Sequence, residues 1–108
     1  MVEYTLSLDS IFGSLADPTR RDILQRVSAR ALTVGEIAKA YDMTVAAISK
    51  HLKVMERAQL IHKERRGKER FVIASPVAVQ NAADYLRSYE ALWTERFDRL
   101  DQLLKEDI

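Results

Sequence analysis

The fold is decided by residues 33–70, which have the sequence TVGEIAKAYDMTVAAISKHLKVMERAQLIHKERRGKER. Thr33 and Glu36 have the spacing of a capping box, in which each side chain bonds the other residue's backbone N–H and a helix begins. After a short break, Thr44 is placed to cap a second helix. Two short helices joined by a tight turn predict a helix-turn-helix over residues 33–58.

The second helix of this pair has two different faces. Ile48, Leu52 and Met55 recur at the spacing of one helix side, which predicts that they are buried. The opposite side combines small residues with cations, and this combination suits close approach to a DNA major groove. A surface helix with solvated cations would show the same pattern, so this face alone does not separate the two interpretations. The outward residues are Ala46, Lys50, Lys53 and Arg57, with Ser49 at the flank.

A basic hairpin follows the second helix. Two strand-like runs, residues 60–66 and 69–73, are joined at Gly67-Lys68, and Gly67 supplies the positive φ that a tight turn requires. A groove-facing helix beside a cationic hairpin describes a winged helix-turn-helix, with the wing over residues 60–73. The cations of the hairpin are Lys63, Arg65, Arg66, Lys68 and Arg70, and its acids are Glu64 and Glu69.

These motifs resemble the ArsR/SmtB-type winged-helix repressors of bacteria, and the resemblance extends over residues 8–105. It implies a transcriptional repressor that binds double-stranded DNA. One departure is Gln59, where that family usually has glycine at a helix end, but a non-glycine residue adopts the left-handed conformation there at modest cost. The matching segments are LADPTRRDIL (15–24), ISKHLKVM (48–55), AQLI (58–61) and RGK (66–68).

Further helices are predicted on both sides of this centre. Asp17-Pro18 and Ser75-Pro76 each place a capping residue before a proline, a strong helix start. A short helix with Ile11, Phe12 and Leu15 precedes the first of these starts. The fold class is therefore mainly α with a small β-hairpin, about five helices plus the wing. Solvated surface is favoured over DNA-backbone contact for the arginines of the second helix, which are Arg20, Arg21, Arg26 and Arg30.

The last helix, predicted over residues 76–105, carries an apolar seam close to a heptad pattern. A helix of about thirty residues is about 45 Å long, more than the core of a small domain covers. Pairing with a second copy is favoured, and the alternative is packing on the first helix within a monomer. In the family that the chain resembles, the first and last helices form the dimer interface. The predicted interface is Phe12, Leu86, Tyr89, Trp93, Phe97, Leu100 and Leu104.

Composition and charge agree with one small DNA-binding domain over residues 1–108. The formal net charge of +1 conceals a segregation: residues 33–70 carry nine basic and five acidic side chains, whereas residues 71–108 carry four and seven. The positive field is therefore concentrated on the helix-turn-helix and the wing. The chain has no cysteine, no signal-peptide-like N-terminus and no apolar run approaching 18 residues, which predicts a cytoplasmic protein.

The resemblance requires a check for metal ligands, because many ArsR/SmtB-type proteins sense metals. One family site has cysteines near the start of the first helix of the motif, and the matching residues here are Thr33 and Gly35, which do not bind soft metals. Another uses Asp and His along the last helix, where Asp84 stands alone because no histidine follows His62. Neither histidine, His51 nor His62, has a second one at ligand spacing. We predict no metal site and no cofactor, and no feature identifies an inducer.

The sequence favours a homodimeric repressor that occludes a promoter by binding an inverted-repeat operator. The alternative is a winged-helix module for protein assembly, although such a module needs no local net charge of +4. An enzyme has almost no support, since no Ser/His/Asp group or phosphate-binding glycine loop occurs. For His51, a packed helix flank competes with a phosphate contact. The predicted DNA-binding residues are Thr44, Ala46, Ser49 and Lys50 at base edges, with His51, Lys53, Arg57, Arg65, Arg66, Lys68 and Arg70.

Overall fold

The computed structural model describes residues 7–106, which form five helices and one three-stranded antiparallel sheet. This architecture confirms the predicted winged helix-turn-helix with about five helices plus a wing. No helix in this part of the chain is long and apolar enough to span a membrane. The elements are α1 (Leu8–Leu15), α2 (Pro18–Ala29), β1 (Leu32–Thr33), α3 (Val34–Ala40), α4 (Val45–Arg57), β2 (Ile61–Arg66), β3 (Glu69–Ala74) and α5 (Pro76–Glu106).

The caps predicted for α2, α3 and α4 are confirmed. The Asp17 carboxylate accepts a hydrogen bond from the N–H of Arg20 at 2.9 Å, which starts α2. Thr33 and Glu36 form the complete capping box of α3, at 3.1 and 2.9 Å. The Thr44 hydroxyl caps α4 by accepting from a backbone N–H three residues later, at 3.1 Å. Local side-chain chemistry therefore sets where these helices begin.

Helix α4 ends in a Schellman motif built on Gln59, which has φ 59°. The Gln59 N–H donates to the carbonyl of Glu56 and the Leu60 N–H to the carbonyl of Met55, both at 3.0 Å. Met55 and Leu60 are fully buried, as expected of the apolar pair that accompanies this motif. The left-handed cap predicted for Gln59 is confirmed, and the wing leaves α4 in a defined direction.

Strand β1 was not predicted and makes the sheet larger than the expected hairpin. Leu32 pairs with Val72 and Thr33 with Phe71, so β3 lies in the centre of the order β1-β3-β2. Two residues are too few to show the alternation that marks a strand. Because Thr33 also caps α3, β1 ties the start of the helix-turn-helix to the wing.

The hairpin turn is a two-residue loop, Gly67-Lys68, between the paired residues Arg66 and Glu69. Gly67 has φ 63°, and Lys68 has no positive φ. A positive φ at the first central position alone is the type II′ pattern, which matches the twist of the flanking strands. The role predicted for Gly67 is confirmed.

The core joins all the elements in one apolar cluster. The stripe predicted for α4, Ile48, Leu52 and Met55, is fully buried. Ser14 of α1 is also buried, and its hydroxyl has no hydrogen-bond partner within residues 7–106. From α1, α2, α3 and β3 the cluster receives Ile11, Ile23, Ile37 and Val72.

Helix α5 leaves this core after its second turn. Its buried residues are Ala78 and Ala82, and every residue from Asp84 to Glu106 is exposed. With 31 residues at 1.5 Å per residue, α5 is about 46 Å long. The molecule accordingly measures 68 Å along its longest axis but 20 Å along its shortest.

Candidate nucleic-acid interface

Helix α4 presents the polar face that its spacing predicted. Ala46, Lys50, Lys53 and Arg57 are exposed, and Ser49 is half-buried at the flank. The buried stripe on the other side anchors the helix to the core, so this face has a fixed direction. It offers a small residue for close approach, a hydroxyl group and three cations, which are groups that contact phosphates and base edges in a major groove.

The strand register divides the cations of the wing between two faces. Lys63 lies opposite Val72 and Arg65 opposite Arg70, so these three cations share the face turned toward α4. The Lys63 ammonium lies 3.8 Å from the Glu56 carboxylate of α4. Like charges directly opposite each other in a sheet are destabilising, and Arg65 and Arg70 form such a pair. This face of the wing therefore favours an anion.

Arg66 lies on the other face of the wing, because successive residues of a strand alternate. Its guanidinium pairs with the Glu64 carboxylate at 3.0 Å and lies 4.9 Å from the ring centroid of Phe71. Lys68 is exposed at the turn. The structure thus places Arg65 and Arg70 on the face of the wing turned toward α4, and it places Arg66 on the opposite face.

Two hollows lie between α4 and the wing. One of about 430 Å³ is lined by the start of α3, by Val45 and Ser49 of α4, and by Lys63 and Arg70 of the wing. The other, of about 310 Å³, is lined by Glu56 and by the three cations that face α4. Both hollows share Lys63 and Arg70. The cations of the wing, Ser49 of the helix and the carboxylates of Glu56 and Glu69 therefore border one continuous region of surface.

Arg20 of α2 is not the solvated arginine that the sequence analysis expected. It is half-buried, and its Nε donates to the carbonyl of Ser14 at 2.7 Å while a terminal nitrogen donates to the carbonyl of Gly13 at 3.2 Å. The other terminal nitrogen lies 3.3 Å from His51 Nδ1. One guanidinium therefore joins the end of α1 to the flank of α4. These partners are distant in sequence, so no local pattern identifies the role.

His51 lies on a packed flank of α4, which is one of the two roles considered for it. Its side chain is 21% exposed, and Nδ1 lies 3.9 Å from the Asp17 carboxylate. The backbone N–H of Arg20 donates to this carboxylate and holds the pKa of Asp17 below its ordinary value. Asp17 therefore stays charged beside two basic side chains, and the cluster fixes α2 against α4.

A second network locks α2 to the end of α3. The Tyr41 hydroxyl donates to the Asp22 carboxylate, and Arg26 Nε lies 3.0 Å from the same hydroxyl. Burial raises the pKa of Tyr41 to about 12, and the hydrogen bond to Asp22 acts in the same direction. Tyr41 also holds the pKa of the Asp22 carboxyl below its ordinary value. Arg26, like Arg20, is therefore a structural arginine.

Helix α5 exposes an apolar side that is broader than the predicted seam. Phe12 of α1 is half-buried and its ring centroid lies 6.3 Å from that of Tyr85 in the same chain, so it already packs on α5. At 100° per residue the exposed apolar residues cover about 140° of the helix. They include the predicted Leu86, Tyr89, Trp93, Phe97, Leu100 and Leu104, joined by Tyr85, Leu92 and Leu103.

The positions matched to the family's metal sites have other partners here. The Thr33 hydroxyl is engaged in the capping box, and the Asp84 carboxylate pairs with Arg87. Within residues 7–106, no three side chains of His, Cys, Asp or Glu converge as a ligand set.

Comparison with known proteins agrees with this geometry. A family model described as a helix-turn-helix domain matches residues 15–64. The chain is 31% identical over 101 residues to the HTH-type transcriptional regulator Rv2034 of Mycobacterium tuberculosis, which covers 94% of this chain and 92% of the relative. It is 26% identical over 82 residues to the transcriptional repressor SdpR of Bacillus subtilis, covering 76% of this chain and 91% of the relative.

A solved structure gives the same result. The crystal structure of the ArsR family transcriptional regulator RHA00566 aligns with a TM-score of 0.74 and 33% identity, over 81% of this chain and 96% of that chain. The relatives are transcriptional regulators and not enzymes. The protein is therefore a DNA-binding transcriptional regulator, and it belongs to the ArsR family of winged helix-turn-helix proteins.

Proposed function

We propose that this regulator is a homodimeric repressor that occludes a promoter by binding an inverted-repeat operator. The observation that carries the proposal is that two cationic surfaces lie side by side: the outward face of α4, and the wing face with Lys63, Arg65 and Arg70, which is turned toward α4. A helix for the major groove beside a cationic hairpin suits the docking of helix-turn-helix proteins. The Bacillus subtilis relative, which is named a transcriptional repressor, supports the direction of regulation.

In the proposed complex, α4 enters the major groove and the wing contacts the flanking backbone or minor groove. Lys63 and Arg70 border both hollows between α4 and the wing, so the sugar-phosphate strand between the two grooves meets two cations of the wing there. We assign base-edge contacts to Thr44, Ala46, Ser49 and Lys50, and backbone or minor-groove contacts to Lys53, Arg57, Arg65, Arg66, Lys68 and Arg70. His51 is left out of this set, because its imidazole packs against Arg20 and Asp17.

We propose that α5 pairs with α5 of a second copy. Its exposed apolar side continues the side of the helix that carries the buried Ala78 and Ala82, beyond the core of its own chain, and Phe12 of α1 extends that side next to Tyr85. A two-fold dimer presents two α4 helices and therefore matches two half-sites about one DNA turn apart. Joining two half-site contacts raises the affinity through effective concentration.

We assign the proposed roles to successive segments of the chain. Residues 1–108 act as one winged-helix DNA-binding domain, with the helix-turn-helix over 33–58, the wing over 60–73 and the dimerisation helix over 76–105. The repressor does not sense metal through the family's usual ligand positions and uses no cofactor. It acts in the cytoplasm, where the bacterial chromosome lies, and has no membrane partner.

Selection of bound fragments from random DNA, followed by a salt titration on the recovered sequence, tests this proposal. We expect an inverted repeat whose affinity falls steeply with salt. Lys68→Ala should weaken binding to all sequences and reduce the salt slope by about one unit, because it removes one phosphate contact. Lys50→Ala should relax the preference for particular bases by roughly 1–3 kcal/mol.

Lys105→Ala, which removes an exposed cation at the far end of α5, is the matched control and should change neither quantity. If Lys50→Ala left the base preference intact, the assignment of Lys50 would be wrong. Recovery of nothing above non-specific binding would favour the protein-assembly alternative, with α5 as the docking surface.

A further inference from the structure

Val45 is an exposed apolar residue at the edge of the polar and cationic face of α4. It occupies the first helical position of α4, directly after the capping residue Thr44, and 55% of it is exposed. It lines the 430 Å³ hollow between α4 and the wing together with Ser49 and Arg70. Val45 and Ser49 are four residues apart and so lie on the same side of the helix.

Two ordinary explanations for a valine at this position do not apply. The cap of α4 is made by the Thr44 hydroxyl, so Val45 has no part in starting the helix. Burial does not explain it either, because the stripe that anchors α4 is complete without it. Its apolar surface is therefore available to a partner that enters the hollow.

The chemistry of a DNA partner identifies what such a surface would contact. The first turn of a recognition helix is the part that reaches base edges in the major groove. The base edges there carry hydrogen-bonding groups, except for the C5-methyl group of thymine, which is apolar. A branched aliphatic side chain next to Thr44 and Ser49 meets that methyl group while the neighbouring hydroxyl groups bond polar edges.

We propose that Val45 is a specificity-determining residue that packs against the C5-methyl group of a thymine in each half-site. This inference rests on the proposed operator binding and deepens it. It adds a second apolar contact, beside that assigned to Ala46, to a surface whose remaining base contacts are polar.

Replacing thymine by deoxyuridine in the recovered operator tests the contact, because this exchange removes the methyl group and keeps the base pair. Each thymine is exchanged in turn, symmetrically in both half-sites, and affinity is measured for the natural protein and for Val45→Ala. Exchange at one of these positions should weaken binding by the natural protein about fourfold per half-site, or about fifteenfold when both half-sites are changed. Val45→Ala should bind the natural operator that much more weakly and be insensitive to the exchange.

Val77→Ala is the matched control, since Val77 is also in the first turn of a helix and is 54% exposed, but lies on α5. It should keep the full response to deoxyuridine. If deoxyuridine weakened binding by Val45→Ala as much as it weakens binding by the natural protein, the two losses of affinity would be independent and this inference would be wrong. It would also be wrong if no position of the operator were sensitive to loss of the methyl group. Either result would leave operator binding intact. Recovery of no specific operator would instead overturn the proposed function and this inference with it.

Discussion

The short first part of α5, residues 76–83, and its long second part, residues 84–106, have opposite environments although they belong to one continuous helix. In the first part, Ala78 and Ala82 are buried against the core. In the second part every residue is exposed, among them the tryptophan and a phenylalanine at 62% exposure. Small apolar residues of this helix are buried and large ones are exposed, the reverse of the usual distribution. The chain therefore completes its core with the first part and leaves the apolar side of the second part exposed.

A charge on the apolar side of the second part of α5 should have the largest effect on operator affinity. Phe97→Glu places a charge on the apolar side, and we expect it to convert the dimer to a monomer. Operator affinity should then fall by about two to four orders of magnitude, because the two half-site contacts are no longer joined. Sedimentation velocity measures the mass and a binding titration the affinity. Gln102→Glu adds the same charge on the other side of α5 and should change neither.

A Phe97→Glu variant that stayed dimeric with full operator affinity would contradict the proposed interface. A monomer with full affinity would instead contradict the need for two joined half-sites.

Two leucine truncations compare the core with the exposed part of α5. They are made in the Phe97→Glu background, where dimerisation does not contribute to the free energy of unfolding. Leu52→Ala removes a fully buried side chain from the core and should lower the free energy of unfolding by about 2–5 kcal/mol. Leu100→Ala removes a side chain that is 52% exposed and should change it by no more than about 0.5 kcal/mol. Urea unfolding measures both. Equal losses of unfolding free energy in the two variants would show that the second part of α5 packs on its own chain.

The core itself has one imperfect contact, the buried hydroxyl of Ser14. Because this group has no hydrogen-bond partner within residues 7–106, Ser14→Ala should raise the free energy of unfolding by about 1 kcal/mol. Ser10→Ala, an exposed change on the same helix, should leave it within about 0.5 kcal/mol. Urea unfolding in the same monomeric background decides the result. A loss of stability in Ser14→Ala would show that the hydroxyl is bonded in solution.

The smallest expected effect is a decrease in the free energy of unfolding at acid pH, caused by carboxyl groups at the starts of α2 and α3. The pKa of the Asp17 carboxyl is lowered by the capped N–H of Arg20 and that of Glu36 by the N–H of Thr33. A carboxyl group with a lowered folded-state pKa stabilises the fold above its unfolded-state value, and this stability is lost as the pH falls through the folded-state pKa. Stability should therefore begin to decrease below about pH 5.

Asp17→Asn keeps a capping side chain but does not titrate, so it is the matched variant for this prediction. Its unfolding free energy, followed by urea unfolding between neutral and acidic pH, should fall less steeply than that of the natural protein. Identical slopes would contradict the role assigned to Asp17.

Most of the fold could be predicted because its signals are local. The capping box at Thr33 and Glu36, the start at Asp17, the turn at Gly67 and the cap at Gln59 each depend on groups within a few residues of one another. The buried stripe of α4 follows from helix periodicity in the same way. For the candidate site, the sequence predicted which residues are cationic and on which helix face they lie. It did not predict how they are divided in space.

The features that could not be predicted depend on residues far apart in the chain. Strand β1 exists because Leu32 pairs with Val72, and two residues contain no pattern of their own. Arg20 looked like surface until its partners in α1 and α4 were located. The separation of Arg66 from Arg65 and Arg70 required the strand register.

The residue types and their local periodicity thus settled the helices, the turn and the basic character of the motif, since these follow from short-range hydrogen bonds and amphipathic spacing. Long-range pairing in the folded chain settled which cations face α4, which arginines are structural and where Val45 lies. It also settled which part of α5 is exposed. The physical reason is that burial and ion pairing depend on neighbours in space, and the sequence orders neighbours only along the chain.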